Sequence, residues 1–264
     1  MSSSPSSQPT KAQRRDAARE QARQLREAQA RREKRNRNLI IAGVVALIVV
    51  VAVVLYAIIS QGNKSVIAAV ADVPANTSVE DGGISLGSDL VAGTTNDGAP
   101  VLDVYLDFTC PHCATFEEVN AEDIDALVSG GEATVVYHPV AILDRSGDFT
   151  GFSGRAVQAA GVVADQAPEA YNAFQAAMFD LFAESTDAEP TDEQIAAAAS
   201  EAGVPQEVAD ALASGERPFA EWVEATTQQF SRDGYTGTPT VLIDGAEFTG
   251  WTEPGALVEA IQGS

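Results

Sequence analysis

The only two cysteines of the chain lie within one stretch of four residues, Cys110-Pro111-His112-Cys113. Two thiols with this spacing can close a small disulfide and reopen it. The sequence pattern predicts a strand over 101–108 and a helix over 114–128, so the pair lies where a strand meets a helix. Unpaired backbone N–H groups and the helix dipole favour negative charge there, which lowers a thiol pKa. We therefore expect Cys110 to be the nucleophile and Cys113, one turn further in, to be the resolving thiol.

The two residues between the cysteines bear on the direction of the reaction. Pro111 is suited to the first turn of a helix, and His112 can carry a positive charge beside the Cys110 thiolate. A positive charge at this position stabilises the reduced form and makes the disulfide a stronger oxidant. The Pro-His pair therefore predicts a protein that donates disulfides.

Two other kinds of site can use the same cysteines. A structural disulfide is disfavoured, because a bridge across two residues closes too short a loop to restrain the unfolded chain much. A zinc site would combine Cys110 and Cys113 with His138 and one more ligand. It lacks a second cysteine pair, and His112 lies too close to both thiols for easy tetrahedral geometry. We therefore favour a catalytic redox pair and expect no metal.

Charge is distributed unevenly along the 264 residues, whose net charge is −22. Residues 1–38 carry a net +7, whereas residues 39–264 carry a net −29. A surface that binds nucleic acid needs clustered lysines and arginines. The larger part offers only five, so we expect no nucleic-acid partner; they are Lys64, Arg145, Arg155, Arg217 and Arg232. Hydrophobic residues make up 45% of the whole chain, which excludes a disordered chain.

An uncharged segment, residues 39–59, separates the two charge regimes. As a helix it would be roughly 31 Å long, which matches the hydrocarbon core of a bilayer. The alternative is a cleaved signal peptide with Ala69-Val70-Ala71 as its cleavage motif, but the apolar run is longer than such peptides use. The basic residues before the segment place the N-terminus in the cytoplasm. We predict a basic cytoplasmic tail over 1–38, a single transmembrane signal-anchor helix and an extracytoplasmic remainder at the cell membrane.

The remainder divides into a linker and a globular domain. Residues 60–97 are rich in Gly, Ser and Asn and predict an extracytoplasmic linker in which only 84–86 resembles a strand. The domain, 98–264, contains an Ala-rich helical region over 153–232, which prolines interrupt. Further strands are predicted over 133–137, 240–243 and 246–249, with a closing helix over 254–261. The acidic side chains of the first helix, Glu117 among them, are expected on its solvated face.

These residues also carry a family resemblance. The stretch from Val101 through Cys110-Pro111-His112-Cys113 to Phe116-Glu117-Glu118 resembles the active-site region of the DsbA family of thiol-disulfide oxidoreductases. Gly237-Thr238-Pro239-Thr240 resembles the cis-proline loop of that family. The helical region lies where the family inserts a helical subdomain. The resemblance covers about residues 99–262 and implies an α/β, thioredoxin-like fold with an inserted helical subdomain, here preceded by the transmembrane helix.

The resemblance assigns a substrate-binding role to Thr238 and Pro239. It implies that their peptide bond is cis and faces the cysteines, so that the adjacent backbone can pair with an extended client peptide. Proline has no N–H group, and at the first position of a strand the sheet does not need that hydrogen-bond donor. Without the resemblance, a trans proline that simply begins a strand would be expected.

One position departs from the family pattern. Thioredoxin-like proteins commonly carry a buried acid six residues before the first cysteine, where Val104 stands in this chain. Asp107 or Asp103 can replace it as a proton acceptor, and Asp107, three residues before Cys110, is the better candidate. The alternative is that Asp107 is a hydrogen-bonded aspartate at the end of a strand. His138 can line the cysteine rim or simply occupy a turn.

The expected function is a membrane-anchored extracytoplasmic oxidoreductase that donates its Cys110–Cys113 disulfide to reduced client proteins. The resemblance implies reoxidation by a membrane partner of the DsbB or vitamin K epoxide reductase type, and no bound cofactor. Two alternatives stay open. One is a disulfide reductase or isomerase of the same fold, and the other is a non-catalytic binding domain with a structural disulfide.

Overall fold

The computed structural model describes residues 65–185 and 188–263, together with part of 19–54 that includes 43–54 without a gap. The chain divides into two units at Lys64 and Ser65. In the first unit every described position from 19 to 54 is helical. Within the described residues, no helix has both the length and the apolar character needed to cross a bilayer. The predicted span 39–59 lies partly outside the described residues, which omit 39, 40, 42 and 55–59.

The second unit is built on one five-stranded sheet, and the structure confirms the thioredoxin-like α/β fold. Its strands are β1 (Ile84–Leu86), β2 (Val101–Leu106), β3 (Thr134–Pro139), β4 (Thr240–Ile243) and β5 (Ala246–Glu247). Their order across the sheet is β1-β3-β2-β4-β5. Only β2 and β3 are parallel, and the helix α1 (Pro111–Ser129) connects them, as a parallel pair requires. The strand that leads to the cysteines therefore lies at the centre of the sheet.

The two faces of the sheet are set by alternation along β2. Leu102, Val104 and Leu106 belong to the main hydrophobic core, whereas Tyr105 belongs to a smaller cluster around Phe230. Successive side chains of a strand point to opposite faces, so the pattern of apolar residues fixes the orientation of β2. Side chains on both faces of β2 are packed in hydrophobic clusters, and this packing fixes the backbone that leads to Cys110.

Helices fill the predicted region 153–232, and its prolines lie between them. Pro168, Pro190, Pro205 and Pro218 each fall in a connection, since proline lacks the N–H group that a helix interior needs. The closing helix begins at Ala256 rather than at 254, after Gly255 with a φ of +79°. The helices are α2 (Phe152–Gln166), α3 (Tyr171–Glu184), α4 (Asp192–Glu201), α5 (Gln206–Ala213), α6 (Ala220–Arg232) and α7 (Ala256–Gln262).

Residues 65–97, which the sequence pattern assigns to the linker, lie in the second unit. The predicted strand is present as β1, which pairs antiparallel with β3. Ile67, Ile84 and Leu86 are fully buried. Further along, the Asn96 side chain donates to the carbonyl oxygens of Val128 and Ala133 at 2.8 and 2.7 Å. A few apolar side chains and one amide thus fix a segment whose composition is typical of a flexible chain.

Candidate active site

Cys110 and Cys113 lie at the first turn of α1. The strand β2 ends at Leu106, and a turn follows in which the Cys110 N–H donates to the Asp107 carbonyl at 2.9 Å. Cys110 is the N-cap of α1, with an extended backbone, and its carbonyl accepts from the N–H of Cys113 at 3.0 Å. Both thiols are free, and their exposed fractions are 5% for Cys110 and 1% for Cys113. The helix therefore begins at Pro111, three residues earlier than the predicted start.

The Cys110 thiol is strongly acidic. Its pKa falls from the usual 9.0 to about 5. The largest cause is a hydrogen bond with the Cys113 side chain, and contacts with Thr238 and the N–H groups of Cys113 and His112 add to it, while burial opposes them. The donors among these groups, the Cys113 thiol and the two N–H groups, stabilise the thiolate in preference to the thiol. Near neutral pH Cys110 is therefore a thiolate, which is the nucleophilic form.

Cys113 has the opposite character. Burial raises its pKa well above the ordinary value, and the hydrogen bond with Cys110 and the charge of that thiolate raise it further. The reduced pair therefore carries one negative charge, on Cys110, while Cys113 keeps its proton. The two thiols differ because Cys110, the N-cap residue of α1, accepts the hydrogen bond of Cys113, whereas Cys113 lies a turn inside the helix and is more deeply buried.

The loop before β4 faces the cysteines. The Thr238–Pro239 peptide bond is cis, and the Cys110 Sγ lies 3.2 Å from the Thr238 carbonyl oxygen. Thr240, the next residue after the proline, begins β4 and pairs with Tyr105 of β2. The sheet register therefore brings Thr238 and Pro239, distant in sequence, against the nucleophile. Pro111 and His112 are exposed on the same rim.

Comparison with known proteins agrees with this geometry. Residues 86–263 match the family described as Thioredoxin. MdbA, a thiol-disulfide oxidoreductase from Actinomyces oris, has a TM-score of 0.62 and 29% identity, over 73% of this chain and 92% of that one. The oxidised DsbA of Mycobacterium tuberculosis has a TM-score of 0.56 and 33% identity, over 69% and 91% of the two chains. The chain belongs to the DsbA family.

A curated relative shows that DsbA-family sequences of this kind also occur within a longer protein. The serine/threonine-protein kinase PknE of Mycobacterium tuberculosis is 30% identical over 185 residues, which are 68% of this chain. The chain spans 31% of the length of that kinase. The similarity to PknE therefore concerns a part of the kinase about the size of the DsbA-family domain.

Asp107, the predicted proton acceptor of this DsbA-family site, is fully buried and saturated with hydrogen bonds. Its carboxylate accepts from the N–H and hydroxyl of Thr109 at 2.8 and 2.7 Å, and from the Leu143 N–H and the Ser153 hydroxyl at 2.9 Å each. Burial nevertheless raises its pKa, because desolvation outweighs these four donors. Neither cysteine thiol is among them. The geometry favours the alternative interpretation, an aspartate that fixes the end of the strand.

The variant Asp107→Asn separates these two roles. An asparagine amide must present N–H groups to some of the four donors, which should lower the free energy of unfolding by roughly 1–3 kcal/mol. We expect the pH dependence of dithiol oxidation between about pH 5 and 9 to keep the shape of the parent profile. Urea unfolding and stopped-flow oxidation of a dithiol peptide measure the two quantities. A profile that loses one of its pH transitions would restore the proton-acceptor role.

Glu117 is a titratable group that the sequence pattern placed wrongly on the solvated face of α1. Its side chain is partly buried, and its pKa rises to about 7. Burial is the largest cause, repulsion from Asp125 and Asp180 adds to it, and a hydrogen bond with Gln175 opposes it. Its four-residue spacing from Cys113 was visible in the sequence, but the helix α3 that covers it was not.

Glu117 should make the stability of the protein depend on pH. Because the folded-state pKa lies above the ordinary 4.5, the fold favours the protonated carboxyl, and stability falls as pH rises from about 4.5 through 7. The loss approaches roughly 3 kcal/mol. We expect Glu117→Gln, measured by urea unfolding of the oxidised protein, to be more stable than the parent at pH 8 and nearly equal at pH 5. Glu118→Gln, on the exposed neighbour, is the matched control, and an equal gain at both pH values would refute this account.

His138 does not line the cysteine rim. Its Nε2 lies 2.9 Å from Asp103 Oδ1, and its ring stacks on Tyr105 with centroids 4.1 Å apart. The histidine is thus engaged with the side chains of β2 that face the smaller cluster. In the described part of the chain, no three His, Cys, Asp or Glu side chains converge as metal ligands. The His138 Nε2 that the zinc alternative would use is paired with Asp103 instead.

Proposed function

We propose that the protein oxidises pairs of thiols in client proteins by donating the Cys110–Cys113 disulfide. The observation that carries the proposal is the acidic Cys110 thiol beside the cis Thr238–Pro239 bond. A stable thiolate in the reduced form makes the disulfide form a strong oxidant, because reduction then releases free energy. The same thiolate is a good leaving group when the client disulfide closes.

The reaction consists of two thiol-disulfide exchanges. A client thiolate attacks Cys110 Sγ, the Cys110–Cys113 bond breaks, and Cys113 leaves with the electron pair and takes up a proton. A second client thiolate then attacks the client sulfur of the mixed disulfide and releases Cys110 as a thiolate. The client loses two electrons and two protons overall; the protein gains both electrons and one proton, as the Cys113 thiol and the Cys110 thiolate, and the other proton goes to solvent. Family resemblance supports this sequence of steps.

The client binds, in this proposal, as an extended segment along the cis-proline loop. The Thr238 carbonyl lies 3.2 Å from the sulfur that the client attacks, so backbone pairing beside it would position the client cysteine. Pro111 and His112 are exposed on the same rim, and the His112 N–H is one of the groups that lower the pKa of Cys110. Pro111, His112, Thr238 and Pro239 are thus the binding and tuning residues of the proposed site.

Return to the disulfide form requires another oxidant, since Cys110 and Cys113 are the only cysteines of the chain. A membrane partner of the DsbB or vitamin K epoxide reductase type is the proposed acceptor of the two electrons. Such a partner fits a protein anchored by residues 39–59 with its acidic domain outside the cytoplasm. The uncharged segment and the +7 tail that precedes it support this anchor. An oxidising compartment is also where a disulfide donor can operate.

Thiol trapping in intact cells tests the direction of electron flow. Cells are quenched in acid, free thiols are alkylated with a reagent of high mass, and the protein is resolved on a gel. A disulfide donor that is continuously reoxidised should be found mainly with Cys110 and Cys113 joined. A mainly reduced pair would reject the donor role and favour a reductase or isomerase of the same fold.

A further inference from the structure

A cavity opens beside Pro111, the proline that follows Cys110. Its volume is about 380 Å³, and Thr109 and Pro111, the two neighbours of Cys110, both line it. We call this cavity, together with its walls Leu143, Phe152, Ser153 and Phe182, the flanking pocket. Consecutive Cα atoms lie about 3.8 Å apart, so the pocket begins within one residue of the nucleophile.

The flanking pocket and the cis-proline loop lie on opposite sides of β2. Leu143 follows β3, whereas Thr238 and Pro239 precede β4, and β3 and β4 are the two neighbours of β2 in the sheet. A client segment whose cysteine reaches Cys110 can therefore contact the cis-proline loop on one side of the cysteine and the pocket on the other.

Asp107 holds the walls of the flanking pocket together. Its carboxylate bonds Thr109, the Leu143 N–H and the Ser153 hydroxyl at 2.7–2.9 Å. These three residues come from the loop before α1, the loop after β3 and the first turn of α2. The buried Asp107 carboxylate thus fixes the pocket to the end of β2, the strand that leads to Cys110.

Several polar atoms around the pocket already have partners within the protein. The Ser153 hydroxyl is used by Asp107. The Asp144 carboxylate accepts from Ser146 and from the Gly154 N–H at 2.9 Å, and Glu189 accepts from the Phe152 N–H at 2.9 Å. A polar ligand would have to displace these bonds, and buried groups left unpaired are costly. The hydrogen-bond pattern therefore favours an apolar occupant.

Apolar surface is available to receive such an occupant. The Leu143 side chain is 43% exposed, unusual for a leucine in a folded domain, and Pro111 is exposed opposite it. Phe182 is partly exposed and stacks on the buried ring of Phe152, with centroids 5.6 Å apart. Arg145, exposed on the rim, is one of four arginines in residues 65–264. The other charged residues of the lining, Asp144 and Glu189, are acidic, so Arg145 is the residue of this rim that can pair with a carboxylate.

We propose that the flanking pocket binds a large apolar side chain next to the client cysteine, and that Arg145 contacts a carboxylate just beyond that side chain. The proposal rests on the proposed disulfide-donor function and names its client class: segments with the order acidic, large apolar, cysteine or its reverse. The volume of about 380 Å³ is near the lower end of small-ligand pockets, which is room for one or two side chains.

Oxidation rates of matched dithiol peptides test the proposal. The peptides carry Glu-Leu, Glu-Ala or Gln-Leu beside the first cysteine, and the second-order rate constant is measured with the oxidised protein. We expect Glu-Leu to react about tenfold faster than Glu-Ala, because burial of the larger side chain accompanies the transition state. The ratio should fall to about twofold in Leu143→Ala and stay near tenfold in Val79→Ala. Val79 is the matched control, since it is 57% exposed and lies outside the pocket.

A second pair of peptides tests the contact between Arg145 and the client carboxylate. At low salt, Glu-Leu should react about threefold faster than Gln-Leu with the parent protein and equally fast with Arg145→Gln. Equal rate constants for Glu-Leu and Glu-Ala, or a ratio that survives Leu143→Ala, would overturn the pocket assignment while leaving the donor function intact. Loss of the donor function itself would appear differently, as a failure to oxidise even dithiothreitol.

A binding measurement decides the pocket assignment without any redox step. Serine-containing versions of the Glu-Leu and Glu-Ala peptides are titrated into isotope-labelled oxidised protein. Only the Glu-Leu version should shift the NMR signals of the Leu143 amide and methyl groups. Identical spectra with both peptides would reject the proposal.

Discussion

Replacement of Cys110 by serine is expected to abolish disulfide transfer to the background of uncatalysed exchange. Serine keeps the size and the N-cap position of Cys110 but cannot form the sulfur–sulfur bond that a client thiolate attacks. Cys113→Ser should behave differently when it is mixed with a client that contains a disulfide, because its Cys110 thiolate attacks that disulfide, displaces one client thiolate, and has no Cys113 to release it from the mixed disulfide. Non-reducing gels and mass spectrometry of the trapped species measure the difference.

This pair of variants also tests which cysteine reacts with clients. Mixed disulfides should involve Cys110 and accumulate in Cys113→Ser alone. Accumulation in Cys110→Ser would reverse the assignment. Client oxidation at the parent rate in Cys110→Ser would mean that the disulfide has no catalytic role and would support a binding domain.

The reduced protein should be stabilised by the Cys110 thiolate, and this stabilisation should depend on pH. The folded-state pKa of about 5 lies below the ordinary 9.0, so the stabilisation is complete above pH 9 and is lost as pH falls to about 5. At pH 7 it amounts to roughly 3 kcal/mol, which corresponds to a reduction potential about 60 mV more oxidising. Urea unfolding of the reduced protein at pH 5, 7 and 9 measures the slope, and thiolate absorbance near 240 nm gives the pKa directly.

Cys113→Ala is the decisive control for the origin of this acidity. It removes the hydrogen bond that is the largest cause of the shift, so the pKa of Cys110 should rise by at least about one unit. An unchanged absorbance titration would show that the start of α1 alone is responsible. A thiolate that appears only above about pH 8 in the parent protein would contradict the premise of the oxidising disulfide.

The reactive centre could be predicted from the sequence because its signals are local. A cysteine pair between an apolar strand and a helix, and a Thr-Pro before a second strand, can each be identified from a few consecutive residues. Their juxtaposition depends on the pairing of β2 with β4, and in the sequence only the family resemblance implies it. The prolines at the helix boundaries were predictable for the same reason.

The environment of the buried carboxylates could not be predicted in this way. Asp107 is bound by Leu143 and Ser153, which lie 36 and 46 residues further along the chain. Glu117 is covered by α3 and gains its raised pKa from Asp180 and burial that no helical pattern reveals. Such networks depend on how distant elements pack, and a single sequence contains no signal for that packing.

The pairing of β1 with β3 has a consequence for the solution behaviour of the domain. Ile84 and Leu86 cover one outer edge of the sheet, and at the opposite edge β5 has only two residues. A chain that began at residue 98 would leave the N–H and C=O groups along β3 without partners. Uncovered strand edges of this kind recruit strands of other molecules and lead to aggregation. Residues 65–97 therefore cover this edge of the sheet and protect the domain from such association.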